Sequence, residues 1–236
     1  MGLDAIRSTA RTLGYYTRLQ ALTANNIANS DTEGFKADVM SARKVGESTY
    51  PVPVTRTDLS QGTLTPTGRP LDLSLDGPGF LVLQTEQGER LTRGGSLALD
   101  AANRLSDRHG NLLLGENGPV QIPLRYASFE VQADGQVVVD GTRIDRLRVE
   151  TVADPGMLLK EGAGHFKPAL RGELPIAVNT TTTVVRQGQV EDSNQDTLKG
   201  VVDLVTIQRA YAANIDSLKA LDSVLGTVVN EVGKVS

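Results

Sequence analysis

The side chains with the most chemical potential are two histidines, His109 and His165, and a large set of carboxylates, 28 Asp and Glu in 236 residues. Imidazole titrates nearest neutrality, so each histidine is weighed first as a general base or a metal ligand. His109 lies in Asp107-Arg108-His109-Gly110-Asn111, a polar run that reads as a hairpin turn, where a solvated ring is the ordinary state. His165, in Gly164-His165-Phe166, stands at the start of an expected strand and reads as structural. The two are not spaced as metal ligands on one element, and HExxH is absent. The chain has no cysteine, which excludes a thiolate metal site and a disulfide framework. Gly94-Gly95-Ser96 fails as a nucleophile elbow because Ala98 occupies the place of the second glycine. The other Gly-rich pieces lie among expected strands with no helix following, unlike a P-loop or a dinucleotide fingerprint. With so many carboxylates no pair stands out, and a glycosidase dyad stays formally open. The expectation is a protein with no catalytic residue, no cofactor site and no metal site, and not an enzyme.

Composition narrows the class further. The formal net charge is −4 and the pI about 5.3, so no basic stripe is available to neutralise phosphates and a nucleic-acid partner is not expected. No apolar run approaches the ~18 residues that cross a bilayer, so membrane insertion is not expected. The N-terminus carries Asp4 and Arg7 and lacks a signal-peptide apolar block, and Ile6 stands where myristoylation of Gly2 wants Ser or Thr. These features alone suggest a cytosolic chain, unless it leaves by a route that cleaves nothing.

Proline divides the elements that must hold these residues. All 10 prolines fall between Pro51 and Pro175. Helices are therefore permitted at both ends and discouraged in the middle. Residues 3 to 29 read as a helix through Leu3, Ile6, Ala10 and Leu13; Tyr16, Leu19 and Leu22 then let the apolar stripe drift from Gly14 onward. Asn25, Asn26, Ile27 and Asn29 lead into Ser30-Asp31-Thr32-Glu33-Gly34-Phe35-Lys36, a specified stop. From Leu71 the pattern has period two, and strands are expected at 71–75, 80–83, 89–93, 96–99, 111–114, 120–124, 128–132, 136–139 and 144–152, then near 166–170 and 181–187. Asp76-Gly77-Pro78-Gly79, Asn117-Gly118, Asp134-Gly135 and Asp140-Gly141 supply turns between them. Glu191 to Asp196 read as acidic and capping residues at the N-terminus of the last helix.

That last helix carries two seven-residue series. One is Leu204, Tyr211, Leu218, Leu225 and Val232; the other is Val201, Gln208, Ile215, Asp222 and Val229. Val205, Ala212, Leu221, Val224 and Val228 widen the face beyond a two-stranded seam, which suits several neighbours. The fold class expected is α+β: long N- and C-terminal helices pairing as a coiled coil, with a central all-β domain of many short strands. The segments are an N-terminal helix over 1–33, an extended linker over 34–70, the β domain over 71–190 and the C-terminal helix over 191–236.

Three stretches carry a family resemblance. Ala24-Asn25-Asn26-Ile27-Ala28-Asn29 with Thr32 and Gly34-Phe35-Lys36 resembles the "ANN-(I/L)-AN … T-x-GFK" motif of the bacterial flagellar rod, hook and hook-associated axial proteins. Arg69-Pro70-Leu71-Asp72 through Gly77-Pro78-Gly79-Phe80, with Arg93-Gly94-Gly95-Ser96-Leu97, is similar to the start of their β domain. Gly188-Gln189-Val190-Glu191-Asp192-Ser193-Asn194 with Gln208-Arg209-Ala210-Tyr211 resembles their C-terminal signature. Gln195 for the usual Val and Leu97 for the usual Phe depart from the pattern. Within that family the segment at Arg69-Pro70 is more like the proximal rod proteins, and Gln208-Arg209-Ala210-Tyr211 more like the distal one.

The resemblance implies a structural subunit of the basal-body rod, placed in the cell envelope and exported by the flagellar type III apparatus without a cleaved signal. It implies terminal helices packed as a coiled coil in a hollow tube, with other rod subunits as partners and periplasmic ring proteins around it. The residues expected at subunit contacts are Leu3, Ile6, Leu13, Ile27, Leu204, Tyr211, Ile215, Leu218, Leu225 and Val229. The competing reading is an interaction module whose β domain recruits a cell-wall hydrolase or ring protein.

Overall fold

The computed structural model describes residues 2–43, 52–152, 154, 156, 158–162, 164–168, 176–177 and 182–232. The molecule is α+β, with helix α1 (Gly2–Ala28) and helix α2 (Thr197–Val232) at either end of a strand-rich middle. It divides into two compact units. One holds the described residues of 1–28, 38–56 and 196–236; the other holds those of 29–37 and 57–195.

In the first unit α1 packs against α2. Asp196 caps α2: its Oδ1 accepts from Lys199 N at 3.0 Å and its carbonyl from Gly200 N at 2.9 Å. The less exposed stripe of α2 runs Leu204, Ile207, Tyr211, Asn214, Ile215, Leu218 and Leu221. Val201, Gln208 and Asp222, from one of the expected seven-residue series, are exposed instead. The buried line moves one residue toward the N-terminus because Ile207 offers more apolar surface than Gln208. In the last turn of α1, buried Asn26 brackets the start of a strand. Its Nδ2 donates to Asp38 O at 2.7 Å and its Oδ1 accepts from Asp38 N at 2.9 Å. That strand, Asp38–Arg43, forms a two-stranded sheet with Val52–Thr57.

The second unit is built around strand Phe80–Thr85. Its alternation places Leu81 and Leu83 in one core with Leu73, Leu75, Leu113, Val137 and Val185, while Phe80 and Val82 enter a second core with Leu91, Leu114, Leu158 and Phe166. Both faces are therefore dry, which fits an almost unbroken apolar run. Phe80–Thr85 pairs with Gly88–Thr92, Leu112–Gly115 and Val149–Thr151, all antiparallel. A three-stranded sheet orders Val184–Gln187, Asp72–Asp76 and Gly94–Ser96, and Gln189–Glu191 pairs with Leu64–Pro66.

Several strands differ from the sequence expectation. Residues 120–124 are not a strand: Val120 N bonds Leu113 O at 3.0 Å while Ile122 N bonds Asn103 O at 2.8 Å, so the segment is shared between two partners. The run expected over 144–152 is two strands, Thr142–Arg146 on Gln136–Val139 and Val149–Thr151 on Phe80–Thr85, because the chain changes sheets at Leu147. Leu105–Ser106, Leu158–Gly162 and Gln189–Glu191 are too short or too polar to have shown a period.

Gly94 is where backbone meets backbone. Its φ is +107°, and a Cβ there would lie 2.2 Å from Leu73 O and 3.1 Å from Ser74 Cα, atoms fixed in the pairing of Gly94–Ser96 with Asp72–Asp76. Gly141 has φ +75° with no heavy atom within 4 Å of a Cβ. Gly94→Ala is expected to lower stability by about 3 kcal/mol, combining dihedral strain with a clash that cannot relax, and Gly141→Ala by about 1 kcal/mol from the dihedral alone. Urea midpoints of the two variants test this; equal losses would mean that contact with Asp72–Asp76 is not the constraint.

Candidate functional site

The densest polar arrangement in the β unit joins three distant parts of the chain. Lys36 follows the Gly34-Phe35 turn, Arg93 immediately follows strand Gly88–Thr92, and Glu191 ends Gln189–Glu191. Their side chains are 0%, 5% and 1% exposed, so each charge must be met inside the protein. The Lys36 ammonium pairs with Glu191 Oε1 and donates to Ser60 O at 2.6 Å. Glu191 Oε1 also accepts from Gly62 N at 2.9 Å, and Oε2 accepts from Arg93 Nε at 2.9 Å. The remaining guanidinium nitrogens fan onto the turn before Phe80, donating to Gly77 O at 3.0 Å, Leu75 O at 3.1 Å and Gly79 O. Arg93 also stands 5.8 Å from the centre of the Phe80 ring. Burial pushes the Lys36 ammonium below its ordinary range, and the bond and charge of Glu191 offset part of that. The chemistry is a satisfied ionic network without a reacting group.

Around this network the two chain ends of the β unit run side by side. Gly34 N donates to Glu191 O at 2.6 Å, Asn194 N to Phe35 O at 3.3 Å, and Ala37 N to Asn194 Oδ1 at 2.7 Å. Asn194 Nδ2 donates to Asp58 O at 2.8 Å. Lys160 reaches Lys36 O at 2.6 Å and sits 4.0 Å from the centre of the Phe35 ring. Glu33 accepts from Ser96 N at 2.9 Å and Ser96 Oγ at 3.1 Å, and pairs with Arg108 at 2.6 Å. Segment 29–37 is thereby strapped onto the β unit at both of its ends.

The structure thus brings Gly34, Phe35, Gly77, Gly79, Phe80 and Asn194 of the sequence motifs together. Ser193 Oγ accepts from Gln195 N at 3.2 Å beside them. Asn29 opens the preceding turn, its carbonyl accepting from Thr32 N at 3.1 Å. Asn25 is exposed on α1, and Gln208 and Arg209 are exposed on α2. Ile6, Leu13, Ile27, Leu204, Tyr211, Ile215 and Leu218 are half-buried on the helices; the side chains of Leu3, Leu225 and Val229 lie outside the described residues. Sequence reasoning treated Glu191 as a helix-cap charge, whereas it is the counter-ion of two buried cations. No local signal marks this pairing, because Glu33, Asp38 and Glu89 all lie closer in sequence to the two cations than Glu191 does.

The histidines sit elsewhere in the unit. His165 Nε2 lies 2.9 Å from Asp107 Oδ2, and the His109 ring meets the His165 ring edge-on with centres 6.1 Å apart. Both border an open polar hollow of about 740 Å³ with Arg90, Asn111 and Glu161. Among the described residues no group of three His, Cys, Asp or Glu side chains is placed to hold a metal ion. Burial alone would raise the Asp107 carboxyl, but hydrogen bonds from His165, Asn111 and two backbone amides hold it well below the usual carboxylate range. Asp107 therefore accepts as an anion, and His165 Nε2 is the donor. A carboxyl depressed by folding adds stability above its unfolded pKa of about 3.9 and loses it as the pH falls toward the folded value. Asp107→Asn is expected to cost about 2 kcal/mol at pH 7, and the gap between variant and parent should close progressively below about pH 4. Urea unfolding at pH 7, 4 and 3 measures it; a gap that stays constant would contradict the linkage.

Three family models match the chain. Residues 18–36 match "Flagella basal body rod protein", residues 74–139 match "Flagellar hook protein FlgE/F/G D1 domain", and residues 186–231 match "Flagellar basal body rod FlgEFG protein C-terminal". The chain is 30% identical to the flagellar basal-body rod protein FlgF of Escherichia coli, over 88% of this chain and 89% of that protein. It is 28% identical to the rod protein FlgG of Bacillus subtilis, over 92% and 94% of the two chains. It is also 28% identical to FlgF of Caulobacter vibrioides, over 91% and 92%. The matched segments contain Lys36, Gly77 and Glu191 of the buried network.

Proposed function

The chain belongs to the flagellar basal-body rod protein family and is a structural subunit of the flagellar basal body; from that premise we propose how it is built into the rod. Its terminal helices pair as a coiled coil and pack head-to-tail against those of neighbouring subunits, a heterologous contact that propagates as a helical tube. The contacts are carried by Leu3, Ile6, Leu13, Ile27, Leu204, Tyr211, Ile215, Leu218, Leu225 and Val229. Support comes from α2, where Leu198, Val201, Val202 and Val205 remain exposed after α1 has packed. Such a stripe is costly in water and is expected to be covered in the assembly.

The observation that carries the mechanical reading is the side-by-side clamping of 34–37 and 191–194 through Lys36, Glu191 and Asn194. Torque carried along the chain between helices and β unit passes in part through these two segments. Locking them to each other and to Arg93 distributes that share of the load over a packed, hydrogen-bonded site in place of unsupported backbone. The partners in this reading are other rod subunits, the flagellar export apparatus that delivers the chain, and the periplasmic rings around the rod; no catalytic step is involved.

An in-frame deletion tests the role. Non-motile cells whose isolated basal bodies keep their rings but lack a complete rod are the expected result in electron micrographs, and the point at which the rod stops places the subunit proximally or distally. Complete rods and hooks in that strain would overturn the structural role.

A further inference from the structure

The buried network has a property that static strength does not require: the carboxylate that pairs both of its cations arrives last in the chain. Among the described residues, Glu191 alone forms an ion pair with Lys36 or Arg93. It lies 155 residues beyond Lys36 and 98 beyond Arg93. We propose that Glu191 gates folding of the β unit, holding a chain that emerges N-terminus first, as any chain does in synthesis, open until residues 189–194 are present. The inference stands on this geometry and holds with or without the rod reading.

Consider the chain before Glu191 has appeared. Closing the turn at 76–79 requires Arg93 to enter a pocket of three carbonyls, from Leu75, Gly77 and Gly79, with its guanidinium almost wholly out of water. Docking segment 29–37 requires Lys36 to enter the same region, where Ser60 O is its remaining partner. Two cations would then share one dry site with dipoles but no carboxylate in contact, only the charge of Asp58 acting on Lys36 from further off, which disfavours closure. The backbone is incomplete in the same way. Leu64–Pro66 lacks Gln189–Glu191, and Gly34 N and Gly62 N lack their acceptors on Glu191. Arrival of this one segment supplies the anion, the strand partner of Leu64–Pro66 and both acceptors together. A partly delivered chain therefore stays slender, and closure follows in one cooperative step.

The test separates a gate from an ordinary stabilising contact by refolding kinetics of the full-length chain. If the Glu191 contacts form in the rate-limiting step, Glu191→Gln slows refolding by about the factor it removes from stability, roughly a hundredfold, while unfolding is nearly unchanged. Stopped-flow far-UV circular dichroism across a urea series gives both limbs. Refolding at the parental rate, with the whole loss appearing as faster unfolding, would show that the unit closes without its anion and would overturn the proposal. Should Glu191→Gln populate no folded state, Glu191→Asp keeps the charge on a shorter arm, and its smaller loss is partitioned between the two limbs in the same way.

Discussion

Arg93→Met is expected to unfold the β unit under conditions in which the parent is folded. Methionine fills much of the volume, but the bond to Glu191 and the bonds to Leu75 O, Gly77 O and Gly79 O are lost. Three carbonyls lose their guanidinium donor, Leu75 O keeping only Gln61 Nε2 at 3.2 Å among side-chain donors, and Glu191 is left with Lys36 and Gly62 N. Removing one partner of a buried charged network costs about 3–5 kcal/mol, against a total stability of about 5–15 kcal/mol for a domain. For a chain of this size that corresponds to a fall in thermal midpoint of roughly 10 °C or more. Arg93→Lys keeps the charge but cannot reproduce a planar fan of donors, so it should recover less than half of the loss. Circular dichroism melting of the three proteins decides it. A midpoint within about 2 °C of the parent for Arg93→Met would mean that the turn at 76–79 is held by packing around Phe80 and not by the guanidinium.

The architecture was legible in the sequence because two periods and one proline distribution agree. Heptad spacing beyond Asp196 and helical spacing before Asn29 marked α2 and α1 to within a few residues. Alternation at Leu71-Asp72-Leu73-Ser74-Leu75 marked the first strand of the β unit. What stayed hidden depends on contacts between residues far apart in the chain. Glu191 looks like a capping residue because it precedes a helix, and only its placement beside Arg93 and Lys36 reveals a counter-ion. Asn26 reads as part of a stop signal, yet its amide pairs with the backbone of Asp38 in a strand whose sequence has no clear period. The substitution of Ile207 for Gln208 in the buried line of α2 was equally invisible, since either register satisfies a seven-residue repeat until the neighbouring helix selects one. His165 shows the opposite case: local context gave its structural role, and the partner Asp107 explains it.

Leu218→Asp is expected to abolish incorporation into basal bodies while the β unit remains folded. Both cores of that unit draw their side chains from the strand-rich middle of the chain, none from α2, so a charge at position 218 leaves them untouched. On α2 Leu218 belongs to the half-buried stripe, so the new carboxylate would be forced against apolar surface or would part the helices. Because that position also serves the chain's own helix packing, Val202→Asp is the sharper companion. Val202 is 63% exposed and Leu198, one turn earlier, 80% exposed, so the substitution should leave the melting curve of the isolated protein unchanged. In a rod whose helices touch neighbours on several sides, that same charge meets another subunit and blocks growth. Cells carrying each variant are scored by swimming and by immunoblotting of purified basal bodies. Loss of incorporation with an unaltered melt for Val202→Asp would assign the exposed stripe to contacts between subunits. Normal rods containing Val202→Asp would leave the stripe facing water and confine assembly to the half-buried line through Leu204, Ile215 and Leu218.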